Sequence, residues 1–74
     1  MTNKQFGQKI GVDFSIASRL RNGKRLPTVK QLWRLSHVFK LPTKALVDAC
    51  AVGPEAFGEY LRTHIKGLED EQAG

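Results

Sequence analysis

Helix start and stop signals crowd this chain so closely that only short helices fit between them. Thr2, Asp13, Thr28 and Thr43 stand where a side-chain oxygen can accept from the first-turn amides of a helix. Gly11, Gly23, Leu41-Pro42 and Gly53-Pro54 each break the chain. No stretch alternates polar and apolar residues as a strand does. Asn22-Gly23 follows a helical pattern and leads into Lys24-Arg25-Leu26-Pro27, so it does not join two β-branched runs. The expectation is an all-α domain of about five helices.

Thr2 with Gln5 three residues on makes a capping box, and Phe6 and Ile10 share one face of the helix that Gly11 ends. Asp13 caps a second helix running to about Asn22. Its Ala17 and Leu20 lie on one side, and Ser15, Ser18, Arg19 and Asn22 on the other. Thr28 caps a third helix over about 29–39, with Val29, Leu32, Leu35, Ser36 and Phe39 at core spacing. Thr43 is read as the cap of a fourth helix to about Ala51. Pro54 suits the first turn of a fifth, over about 54–67, which places Phe57, Tyr60, Leu61, His64, Ile65 and Leu68 on one stripe. The division expected is residues 1–52 as one unit, and 53–74 as an amphipathic helix followed by an acidic tail that frays.

Charge is the next constraint. Residues 1–44 hold ten Lys or Arg and a single acid, Asp13, whereas residues 45–74 hold two bases and six acids. A segment so one-sided repels itself unless it meets a polyanion, and nucleic acid is the usual one. The competing view is a basic, solvated surface. At 74 residues the core is marginal, and a partner often completes it. Cys50 is the sole cysteine, so it forms no internal disulfide and completes no zinc site alone. No apolar run is long enough to span a membrane, and the first residues do not read as a signal peptide. A soluble intracellular domain is expected.

Two short helices joined by Ile10-Gly11-Val12-Asp13 form a helix-turn-helix unit. The string Gly11-Val12-Asp13-Phe14-Ser15-Ile16-Ala17-Ser18-Arg19-Leu20-Arg21-Asn22-Gly23-Lys24-Arg25-Leu26-Pro27 resembles the recognition segment of the lambda-repressor-like, Cro-type helix-turn-helix family. The resemblance spans roughly residues 2–47. It implies a transcriptional regulator binding double-stranded operator DNA, most like a phage Cro-type repressor. Three departures stand out: Gly7 where alanine is usual, Arg21 where glutamate is frequent, and no room before Thr2 for the helix that normally precedes the scaffold helix. Gly7 is read as weakening its helix while remaining comparable to alanine for close packing.

The resemblance assigns base reading to Phe14, Ser15, Ser18 and Arg19. Arginine's planar fork matches guanine, so Arg19 is the preferred reader, with a phosphate contact or a solvated charge as its other roles. Phe14 either presses on a thymine methyl or folds back on the scaffold helix. Thr2, Asn3, Lys4, Arg21, Asn22, Lys24 and Arg25 are assigned to phosphate, and Arg25 has the minor groove as a second possibility. Lys9, Lys30 and Arg34 read as solvated.

Other chemistry is thin. His37, His64 and Cys50 have no metal-ligand spacing, Gly53 and Gly58 are isolated, and no catalytic arrangement emerges, so neither an enzyme nor a cofactor is expected. Trp33 and Tyr60 read as core or interface residues. The stripe Phe57, Tyr60, Leu61, His64, Ile65 and Leu68 has two uses: folding back on its own domain, or pairing across a homodimer, which is preferred. The acids Glu55, Glu59, Glu69, Asp70 and Glu71 would keep that end away from phosphate. Competing readings are an antitoxin that holds a toxin through its C-terminal helix, and a protein-interaction module.

Overall fold

The computed structural model describes residues 1–68. Five helices follow one another: α1 (Asn3–Ile10), α2 (Phe14–Arg21), α3 (Val29–Phe39), α4 (Thr43–Val52) and α5 (Pro54–His64). No strand occurs among the described residues. The all-α expectation therefore holds, as do the first three helices almost to the residue.

Local hydrogen bonds explain where those three begin. The Thr2 hydroxyl accepts from the Gln5 amide at 3.1 Å, and Gln5 Oε1 accepts from the Thr2 amide at 2.8 Å. Thr28 and Gln31 repeat the same reciprocal pair at the start of α3. At α2 the Asp13 carboxylate accepts from the Ile16 amide at 2.9 Å. Gly11 then ends α1 with φ of 76°, a left-handed turn that glycine adopts without a Cβ clash.

Two expected boundaries move. The cap of α4 is Pro42, with no side-chain hydrogen bond, and Thr43 is already helical. The Thr43 hydroxyl is engaged elsewhere, 2.9 Å from Ser36 Oγ, which itself donates to the Leu41 carbonyl. The fifth helix stops at His64 rather than near 67, because Ile65 is extended and Gly67 turns with φ of 90°.

A single core holds the helices together. Phe6, Ile10, Ala17, Leu20, Leu35, Leu41, Leu46, Phe57, Leu61, Ile65 and Leu68 are all buried in it. Burying each of the larger side chains stabilises by about 1.5–3 kcal/mol. The Phe6 and Phe39 rings meet with centroids 5.8 Å apart and tilted by 43°, joining α1 to α3. α5 packs on α4 and on α2. Beyond α5 the chain turns toward the N-terminus, where the Met1 ammonium donates to the Gly67 carbonyl at 2.8 Å.

The C-terminal stripe thus takes the first of its two expected uses. Phe57, Leu61, Ile65 and Leu68 fill the core of their own chain. This corrects their assignment to a dimer face, since side chains already enclosed present no surface to a second copy. Tyr60 stays half-buried and His64 exposed, their rings stacked at 4.1 Å. Glu69, Asp70 and Glu71, on which the acidic-tail expectation rests, lie outside the described residues.

Gly7 also departs from expectation. A Cβ there would lie 2.6 Å from the Val12 carbonyl oxygen and 3.1 Å from that of Asp13. The turn between α1 and α2 presses against the glycine, so alanine is not an equivalent at this position. Cys50 is half-buried against the core, and burial raises its thiol pKa, as suits a small packing residue.

Candidate nucleic-acid interface

α2 is buried along Ala17 and Leu20, which turns the opposite side of this short helix outward. At helical spacing Phe14, Ser15, Ser18, Arg19 and Asn22 share that outer side. Phe14 is 65% exposed, which removes the alternative of folding back on α1. Arg19 is exposed, and its side chain makes no hydrogen bond or ion pair among the described residues. Ser15 and Ser18 are half-buried and partly engaged. The Ser15 hydroxyl donates to Asp13 Oδ1 at 3.0 Å, and Ser18 Oγ accepts from Asn22 Nδ2 at 3.2 Å.

Asp13 sets the electrostatics at the start of α2. The Ile16 amide and then the Ser15 hydroxyl hold its carboxyl below the usual pKa, with a smaller contribution from the Arg19 charge. Asp13 therefore stays ionised and keeps the helix capped where a polyanion would approach.

The residues assigned to phosphate divide into three groups. Lys4 and Lys24 are exposed and Arg25 half-buried, and none forms an ion pair among the described residues. Thr2 accepts in its capping box and keeps a hydroxyl proton to donate. Asn3 is less open than expected, because its Oδ1 is buried without a hydrogen-bond partner.

Arg21 is the correction in this set. Its Nε donates to the Leu68 carbonyl at 3.0 Å and its Nη1 to Asn22 Oδ1 at 3.2 Å. The guanidinium is drawn inward to the C-terminal turn rather than left for phosphate. That turn was invisible to a reading of local patterns, because it pairs residues 47 positions apart.

The single ion pair among the described residues is Lys44 with Asp48, one helical turn apart on α4. Among the described residues, no carboxylate lies in ion-pair contact with Lys4, Arg19, Lys24 or Arg25. No group of three metal-ligating side chains forms among the described residues. No helix among them is long and apolar enough to cross a membrane.

A capped scaffold helix, a glycine turn and a second helix with an open polar side define a helix-turn-helix unit. The Helix-turn-helix family model matches residues 1–46. That is more than half of the 74 residues, and the chain belongs to this lambda-repressor-like family of DNA-binding regulators. No curated protein and no solved structure matches the chain at a significant level.

Proposed function

We propose that this chain is a sequence-specific regulator of transcription, a Cro-type repressor that reads operator DNA in the major groove with α2. The observation that carries the reading is the outer side of α2. Arg19 and Phe14 are exposed on it, and no carboxylate is in ion-pair contact with Arg19, Lys4, Lys24 or Arg25 among the described residues. Arg19 supplies a fork for guanine and Phe14 an apolar edge for a thymine methyl. The surrounding cations and amides hold phosphate. The host cytoplasm is the compartment that this role requires.

A homodimer belongs to the same reading. One short recognition helix reads few base pairs, and two placed about 34 Å apart meet successive major grooves on one side of the duplex. Of the residues first assigned to the interface, Tyr60 and His64 remain at or near the surface to serve it. The alternative is an antitoxin that holds a toxin through its C-terminal helix, on the outer side of α5, since Phe57, Leu61 and Ile65 are enclosed.

Selection of bound duplexes from a random library tests the reading. A two-fold related site should emerge, with affinity falling on added salt by a log-log slope of about −0.9 per neutralised phosphate. Arg19→Ala should lose about 1–3 kcal/mol on that site and relax one base position, whereas Lys24→Ala should weaken all sequences alike. Recovery of no preferred sequence, together with a flat salt titration, would overturn it.

A further inference from the structure

Residues 54–68 lie beyond the segment matched by the family model, yet they close the C-terminal end of α2. α2 has eight residues, and its last carbonyls have no partner within the helix. A Schellman turn takes up most of them: Gly23 is left-handed with φ of 75°, its amide donates to the Leu20 carbonyl at 3.3 Å, and the Lys24 amide donates to the Arg19 carbonyl at 2.8 Å. The Arg21 carbonyl is left over, and its partner arrives from α5. Arg62 Nη1 donates to the Arg21 carbonyl at 2.6 Å. A guanidinium at that end also complements the negative pole of the helix.

A second strand of contacts runs the other way. The Leu68 carbonyl accepts from the Arg21 side chain, which donates in turn to Asn22 Oδ1, while Asn22 Nδ2 donates to Ser18 Oγ. Ser18 is a base-reading residue of the proposed site. Beneath this run, backbone meets backbone. A Cβ on Gly58 would sit 2.5 Å from the Gly23 nitrogen and 3.1 Å from the Arg21 carbonyl oxygen. A Cβ on Gly23 would sit 3.0 Å from the Glu55 Cα. Leu61, next to Arg62 in α5, is wholly buried.

We propose that Arg62 is a positioning residue for DNA reading. From α5 it holds the end of α2 and the turn that follows, and so sets how Ser18, Asn22 and Lys24 are presented to the duplex. The inference rests on the DNA-reading function proposed above.

The test uses the intact chain, the duplex recovered from library selection and a scrambled duplex of equal length. Wild type, Arg62→Met and Arg62→Lys are compared on both, with urea melts to establish the folded fraction. Corrected for that fraction, Arg62→Met should bind the selected duplex about 3–10-fold more weakly relative to the scrambled one, the scale of one hydrogen bond. Arg62→Lys retains a cationic donor and should recover most of the ratio. Amide exchange should quicken at Asn22, Gly23 and Lys24 in Arg62→Met and stay unchanged in α1. If Arg62→Met does not fold, Arg62→Gln takes its place, because it stays polar while removing the guanidinium that donates to the Arg21 carbonyl, and it should show the same loss of ratio. An unchanged ratio, or a loss equal on both duplexes, overturns the positioning role alone. A wild type that prefers neither duplex overturns the DNA reading, and this inference with it.

Discussion

α1 and α5 are both short helices packed into one core, and they are held in place by opposite means. α1 is closed at both ends by its own neighbourhood, through Thr2 with Gln5 and the left-handed Gly11. α5 begins at Gly53 and Pro54 with no side-chain cap. What holds it is docking: Phe57 and Leu61 fully enclosed, Gly58 against Gly23, and Arg62 on the Arg21 carbonyl. A capped helix keeps its ends defined wherever it goes. A docked helix is defined only while its partner stays in register. The half of the molecule that carries the proposed DNA-reading residues is thus locally specified, while the half that steadies it depends on contacts made across the fold.

The sharpest way to break this contrast is to remove docking and capping separately. Phe57→Ala empties the α5 side of the core and should cost about 3–5 kcal/mol. A 74-residue domain has about 4–11 kcal/mol in total. Urea unfolding should therefore show a midpoint far below that of the parent chain, the loss being a large fraction of the total. Thr2→Ala removes the capping box of α1 and should cost only about 0.5–2 kcal/mol in the same experiment. Equal losses in the two variants would mean that the helices are not held by different means.

Asp13 gives the smallest and most selective test. Its pKa in the folded chain lies below the ordinary value of 3.8. Its stabilisation is therefore complete above that value and is lost as pH falls through the lower, folded one. Asparagine caps a helix without titrating. Asp13→Asn should therefore show a shallower loss of stability below about pH 4 than the parent chain. Parallel acid limbs for the two proteins would remove Asp13 from the account of how α2 is capped.

Much of this arrangement can be read from local patterns, and the exceptions share a cause. Thr2-x-x-Gln5, Asp13, Thr28 and Gly11 act on amides and turns within a few residues, so a stretch of sequence contains the whole interaction. The same holds for the outer residues of α2, whose exposure follows from burial of Ala17 and Leu20. Thr43 looked like a cap because its type suits one, but Ser36 on the preceding helix holds its hydroxyl. Arg21 looked like a phosphate ligand because it is basic and near the recognition surface, but Leu68 draws it inward. The stripe on α5 was visible as a stripe, yet periodicity does not say whether its partner is the same chain or another. Gly58 carried no local signal at all, because the reason for it lies in the backbone of Gly23.

That glycine pair has a consequence for how such a chain can change over generations. Most tight contacts tolerate drift, because a larger side chain on one element can be matched by a smaller one opposite. Between Gly58 and Gly23 both partners already have the least volume a residue can have, so neither can shrink to admit growth in the other. The separation between the end of α2 and α5 is therefore locked against compensating exchange. Divergence of the proposed DNA-reading face must come from the residues that point away from this joint.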